Sequence, residues 1–585
     1  MKHLSLALLI FLLVITLVSC TGTSAPTPPA DVTTEAPETE APIVPIDLIK
    51  DGVANYTVIR GDAADSNTIQ KTTLLVQNLA KSTGVSPMIS TDWIRKGEEH
   101  DPNTLEILVG NTNYKESAEA LEGLPYGNYV VKKIGNKLVI NAWSSKALNR
   151  AITLLITDIT KNATEGNYSL PGDILLTGAE LEELNLIPYY EGAQLETVFP
   201  SGNNNQLLLF SDTDMDEFNA YLSALEKKGL SLYTDNEVVG NKFATYINDE
   251  YVVTAGYYKH NSEARIIIEP RTTLPILAED NKYEKVTEPK FALLGLEYDS
   301  GEGYNSQNGQ CFVWQLSDGS FIVVDGGFNR SVDARQILKF MQENAPDPKN
   351  INIAAWIITH AHGDHYGAFA NFSANYGKHV NLELIIANFL SDEARKMDDM
   401  AEGGGYVYVL QHEKSYPNCR YLEAHTGQKL HIRDAEIEIL YTIESYVPRS
   451  LDNYFNTTSL VFTVDIAGQR FLVTGDAGND ACAIIAGMYG DYLKSDYVQA
   501  AHHGYQVSIP NNNVAGVKKV YELAAAPVVL WPVGEKDFVT MVNRPQSKYL
   551  QDLPTTKEIF VAGANKIILN LPYTVGTSGQ KSVLK

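Results

Sequence analysis

Residues 359–365 read Thr359-His360-Ala361-His362-Gly363-Asp364-His365, and their reading decides the fold. Three His and one Asp fall within six positions, directly after the apolar run Ala354-Ala355-Trp356-Ile357-Ile358. A single His at a strand end is usually a satisfied polar residue. Four ligand-type side chains in one turn after a buried strand would destabilise it by crowding and desolvation unless something offsets the cost. A divalent cation does so by binding neutral imidazole and carboxylate at ~2.0–2.2 Å. In an extended segment His360 and His362 share one side. Asp364 and His365 follow a turn at Gly363 and address a second point nearby, so the spacing suits two metals.

Working outward, other apolar runs also end in polar clusters. Phe321-Ile322-Val323-Val324 precedes Asp325, Phe471-Leu472-Val473 precedes Gly475-Asp476, and Tyr497-Val498-Gln499-Ala500-Ala501 precedes His502-His503. Near-continuous apolar strands belong to sheets buried on both faces, and α/β sheets hold their ligands at the C-terminal ends of the strands. The fold class expected is therefore α/β, at least over the last half of the chain.

The H-x-H-x-D-H pattern of residues 360–365 is similar to the signature of the metallo-β-lactamase superfamily. Further landmarks stand in the family's order. Asp325 looks like the Asp that braces the metal loop, Asp476 like the carboxylate that bridges two metals, and His503, followed by Gly504, like the last His ligand. The resemblance implies a C-terminal αββα sandwich over 290–585. It also implies one site of His360 and His362, and a second of Asp364, His365 and His503, with Asp476 shared. His502 is a second choice beside His503. Asn456 occupies the position where the family often has a further His. Its carbonyl oxygen is a poorer ligand for a borderline-soft ion, so manganese or iron joins zinc as an expected cofactor. Asn456, then Gly-Asp, then His-His-Gly resembles the branch of DNA-uptake competence hydrolases and choline-phosphate esterases. The implied chemistry is hydrolysis of a phosphoester or phosphodiester by a metal-activated hydroxide, with Asp364 or Asp476 orienting the nucleophile. Hydrolysis of a carboxylic ester, amide or lactam on the same site is the alternative. His425, in Ala424-His425-Thr426-Gly427, reads as a strand lead-in residue or as an extra ligand or substrate contact. The run Gly403-Gly404-Gly405-Tyr406 reads as part of a pocket-shaping loop.

Two smaller units are expected before the hydrolase region. From 46 to 190, helical and strand patterns alternate. Apolar positions share a helix face over 68–80, Leu105-Glu106-Ile107-Leu108-Val109-Gly110 reads as a strand, and Gly135-Asn136 marks a hairpin because both positions tolerate positive φ. Residues 106–112 and this hairpin resemble the α-glucuronidase N-terminal-like accessory domain, which implies a possible glycan contact. A purely structural spacer is the other reading. From 195 to 288 a helix over 214–228 and five strand-like runs predict an α+β unit of one helix on an antiparallel sheet. His260 in it reads as a solvated residue.

The N-terminus reads as targeting. Lys2 precedes an apolar stretch over residues 4–18 that is too short for a comfortable span. Leu17-Val18-Ser19-Cys20 resembles a bacterial lipobox, implying a signal peptide over 1–20, acylation at Cys20 and attachment to the bacterial cell envelope. Residues 21–45, rich in Thr, Pro, Ala and Glu, read as an extended linker.

Composition narrows the partners. The 585 residues carry a net charge of −25, which argues against a broad basic face for nucleic acid and leaves small or surface-displayed phosphoesters as expected substrates. Four widely spaced Cys exclude both a disulfide scaffold and a thiolate zinc cluster. A glycan-binding lipoprotein with a vestigial hydrolase half is the reading from a different class, and the complete His/Asp set speaks against it.

Overall fold

The computed structural model describes residues 44–124, 127–179, 186–188, 190–199, 205–295, 309–391, 407–447, 455–505, 514–562, 566–580 and 583–584. Cys20, the linker to residue 43 and Gly403 to Tyr406 lie outside them. The chain is a mixed α/β protein with helices and several sheets.

The first six-stranded sheet has four parallel strands, Ile89–Thr91, Thr57–Arg60, Glu106–Val109 and Lys137–Ala142, extended by antiparallel Asn128–Ile134 and Leu175–Ala179. Helices Ser66–Thr83 and Ser145–Asn162 pack together against its apolar core. Asp65 caps the first helix by accepting from Thr68 N, and Gly84 ends it in the left-handed region at φ 75°.

A second six-stranded sheet is wholly antiparallel, in the order 194–199, 206–211, 263–270, 251–258, 241–247 and 231–238. Helix Met215–Lys227 lies on it, started by a capping box between Asp214 and Glu217. This unit is bonded to the rest of the chain by side chains from both parties. Arg265 Nη1 donates to Val447 O at 2.6 Å, and Asn241 Nδ2 to Met488 O at 3.0 Å. Asn205 Nδ2 donates to Glu423 Oε1 at 2.7 Å. Phe243 covers Gly427 so closely that a Cβ there would sit 1.9 Å from the ring, so only glycine fits.

Beside a small antiparallel sheet of Val53–Ala54, Ile46–Lys50 and Tyr168–Leu170, two further sheets have eight strands each. In one, Phe321–Asp325 and Ile351–Ile357 run parallel at the centre; in the other, Gln469–Val473, Tyr497–Gln499 and Val528–Trp531 do so. One apolar core is shared between them, with Phe291 and Trp314 of the first sheet 5.0 and 5.4 Å from Phe471 of the second. A second core packs helices Ser331–Asn344, Gly363–Tyr376, Asn479–Tyr489 and Ala515–Ala524 against the outer faces. Cys311, Cys419 and Cys482 are buried free thiols. Among the described residues, no helix is long and apolar enough to cross a membrane.

Candidate metal centre

The parallel strands deliver their polar ends to one edge. Asp325 closes its strand, His360 follows Ile351–Ile357 after two residues, Asp476 follows Gln469–Val473, and His503 follows Tyr497–Gln499. Gly363 does not make a free turn; it starts helix Gly363–Tyr376, with His362 as the residue before it and Asp364 and His365 in the first helical turn. The helix thus lifts Asp364 and His365 away from the extended pair His360 and His362.

Two groups of three ligand atoms, each within 4.8 Å of one another, result: His360, His362 and Asp476, and Asp364, His365 and His503. They adjoin through Asp476, whose Oδ2 lies 3.8 Å from His360 Nε2, 3.2 Å from His365 Nε2 and 3.5 Å from His503 Nε2. His503 Nε2 is 3.5 Å from Asp364 Oδ2 and 3.2 Å from His365 Nε2. His360, His365, His503 and Asp476 are buried, while His362 and Asp364 are half-buried at the opening.

The ring orientations come from surrounding bonds. His365 Nδ1 donates to Asp325 Oδ2 at 2.8 Å, and His503 Nδ1 to Pro532 O at 2.9 Å, so each ring turns Nε2 inward. Asp325 also receives Thr359 N at 2.8 Å and Thr359 Oγ1 at 2.9 Å, tying the His segment to the neighbouring strand. Thr474 N and Gly475 N both donate to Gln499 Oε1 at 2.9 Å, and Asp476 N to Ser459 Oγ at 3.1 Å. Asp325, His502 and His503 sit at φ 56°, 49° and 52°, a left-handed conformation that costs roughly 1–3 kcal/mol per residue and persists only where surroundings enforce it. At Gly504 a Cβ would meet the Trp531 ring at 2.6 Å, so glycine lets the His-His turn close.

Among the described residues, the charges that act on one another here are those of His and Asp side chains. Burial drives His360 well below the usual imidazole value, assisted by His365. Burial opposes protonation of His365 and His503 as well, but Asp476 and neighbouring carboxylates prevail, raising His365 well above its ordinary value and His503 to about 9. Burial would raise Asp364 and Asp476; the facing imidazoles reverse this and lower both. Imidazoles and carboxylates are thus standing in as each other's counter-charges. Asp476 Oδ1 is buried with no hydrogen-bond partner, an orphaned acceptor on the carboxylate whose Oδ2 faces the His nitrogens. The donor set fits a divalent metal pair: His360 and His362 would hold one ion, Asp364, His365 and His503 the other, with Asp476 between.

The second-choice residues separate. His502 belongs to neither group of three, although its Nε2 lies 3.7 Å from Asp476 Oδ2, and Asn456 Nδ2 lies 3.3 Å from that nitrogen. Asn456 Oδ1 is buried without a hydrogen-bond partner. His425 belongs to neither ligand group: it is buried, with Nδ1 2.8 Å from Glu444 Oε1 and Nε2 3.4 Å from Glu269 Oε1. Residues 269 and 444 are too distant in sequence for this partnership to be read from local pattern.

No curated protein matches the chain. Among solved structures it is similar to CmlA, a diiron β-hydroxylase from Streptomyces venezuelae, at 13% identity over 48% of this chain and 54% of that one, with a TM-score of 0.30. It is also similar to a B3 metallo-β-lactamase with an active-site glutamic acid, at 14% identity over 50% of this chain and 85% of that one, with a TM-score of 0.22. The chain spans about half the length of the CmlA chain it matches. Residues 307–488 match the model described as the metallo-beta-lactamase superfamily, and the chain carries a domain of that superfamily there.

Proposed function

We propose that the protein is a metal-dependent hydrolase of phosphoester or phosphodiester bonds, built on an αββα sandwich over 290–585. The observation that carries the hydrolase reading is the pair of adjoining ligand groups joined by Asp476. A divalent metal pair, if held by these residues, would supply Lewis acidity that brings the ionisation of water toward neutral pH. Asp364, half-buried at the opening, would orient the attacking water through its ionised carboxylate, and Asp476 would hold the two halves of the site in register. His365 and His503, braced by Asp325 and Pro532 O, would keep their inward nitrogens fixed through the reaction.

An anionic substrate is supported by Arg544. Its guanidinium stacks 4.6 Å from the Tyr505 ring, which follows the His-His-Gly turn, and among the described residues no carboxylate pairs with it. Stacked guanidinium leaves its outer N–H groups available for a phosphate. Turnover of bis-p-nitrophenyl phosphate by zinc- or manganese-loaded protein tests the reading. Arg544→Ala should raise KM for this diester with kcat little changed. Turnover of nitrocefin without diester turnover would instead support lactam hydrolysis.

We also place the chain at the bacterial cell envelope, anchored through acylated Cys20, with small or surface-displayed phosphoesters as substrates and the 46–190 unit as a possible glycan contact. The support is the lipobox-like sequence and linker. Cys20→Ser should release the protein from membranes.

A further inference from the structure

Beside helix Asn479–Tyr489 lies a cleft of about 260 Å³ lined by Tyr258, His260, Asn261, Ser445, Asp480, Ala483, Ile484 and Met488. Its walls come from two units. Tyr258, His260 and Asn261 form the tip between strands Tyr251–Tyr258 and Glu263–Pro270, whereas the other five belong to the region of the metal centre. The tip approaches closely because residue 487 is glycine: a Cβ there would lie 3.2 Å from His260 Nε2.

Topology places this cleft at the edge that carries the ligands. Strand Ala435–Tyr441 is antiparallel to Val461–Ile466, which is antiparallel to Gln469–Val473, so the first and third point the same way. Ser445, just past the end of the first, stands at the same end as Asp476, just past the third. Two inter-strand steps of ~4.8 Å put these strands about 10 Å apart. Asp480, four residues after Asp476, opens the helix that forms the cleft floor, so their Cα atoms are separated by at most ~14 Å.

The lining selects a ligand class. Asn261, His260 and Ser445 offer both donors and acceptors, Asp480 offers a carboxylate, and Ile484 and Met488 give an apolar strip. Among the described residues no Lys or Arg lines the cleft, so a second phosphate would meet the Asp480 carboxylate without a compensating cation. A single Tyr is no cage for a quaternary ammonium. The volume falls below the ~300–1,000 Å³ of drug-sized sites and suits one ring-sized group.

We propose that this cleft is a subsite for an uncharged polyhydroxylated ring, the sugar portion of the substrate whose phosphoester reaches the metal pair. The proposal rests on the hydrolase reading for its purpose, but not for its test. Saturation-transfer NMR with methyl β-D-glucopyranoside is run on metal-loaded and metal-stripped full-length protein. Saturation of the sugar ring protons is expected in both forms. His260→Ala and Asp480→Asn, both at exposed positions, should each weaken binding at least about fivefold at an unchanged thermal midpoint. Inorganic phosphate should not displace the sugar from the metal-stripped form. Absence of saturation transfer in both forms, equal binding by wild type and both variants, or displacement by phosphate would overturn the subsite. Sugar binding without any diester turnover would uphold the subsite and count against the hydrolase reading alone.

Discussion

Asp325 accepts from His365 Nδ1 at 2.8 Å through the same carboxylate that accepts Thr359 N and Thr359 Oγ1. One buried side chain therefore sets the rotation of a ligand ring and the position of the segment carrying two more ligands. Such outer partners typically contribute roughly 10–100-fold in metal affinity. Asp325→Asn replaces one acceptor oxygen with an amide donor that faces the same donors. Zinc affinity, measured by competition with a chromophoric chelator, should fall within that range. Undiminished affinity would show that His365 is held by packing alone.

Asn456 supplies a buried carbonyl oxygen without a partner beside His502, 3.3 Å from its amide nitrogen. An imidazole at this position would add a nitrogen donor to the His360, His362 and Asp476 group. Asn456→His should tighten the weaker of two zinc-binding steps by about tenfold, and shift preference from manganese toward zinc. Calorimetric titration resolves the two steps. An unchanged weaker step would place residue 456 outside that coordination sphere.

Glu423, Glu269, Glu444 and His425 form a buried ionic node where the 231–270 strands meet the metal-bearing region. Asn205, Asn388 and Thr442 donate to its carboxylates, and Arg265 lies alongside. Burial, reinforced by Glu269, pushes Glu423 up to about 8 from an ordinary 4.5. His425 is raised well above its usual value because Glu444 and Glu269 outweigh its burial. Both folded-state values are raised, so the stabilisation each gives is full at low pH and is lost as pH rises. For Glu423 the window runs from 4.5 to about 8, with a slope of up to ~1.4 kcal/mol per pH unit. Glu423→Gln should flatten the pH dependence of stability across that window, with wild type losing ground to the variant between pH 5 and 8. Parallel curves from denaturant melts would contradict this.

Much of the candidate site was legible because its residues are local or stand at strand ends. Residues 360–365 carry four ligands in one turn, and Asp476 and His503 each close an apolar run that has no other use for a buried charge. The antiparallel unit was equally readable: Asp214 and Gly229 mark the helix limits, and alternating apolar runs mark its strands. What local pattern missed depends on long-range docking. His425 finds its partners 19 and 156 residues away in sequence. His260, a solvated loop residue by its polar neighbours, reaches the helix after Asp476 only because two units pack together. The difference between a free turn and a helix start at Gly363 likewise needs the packing of helix Gly363–Tyr376 against Trp356, whose ring lies 5.0 Å from Phe369.

The most direct measurement is the metal content of the purified protein by inductively coupled plasma mass spectrometry, on wild type and His362→Ala, with diester turnover recorded on the same samples. Two equivalents of transition metal per chain are expected in wild type. One equivalent and no turnover are expected in the variant, whose Asp364, His365 and His503 group is intact. A wild-type protein that binds no metal, and gains no turnover when zinc, manganese or iron is supplied, would contradict the metal-hydrolase reading.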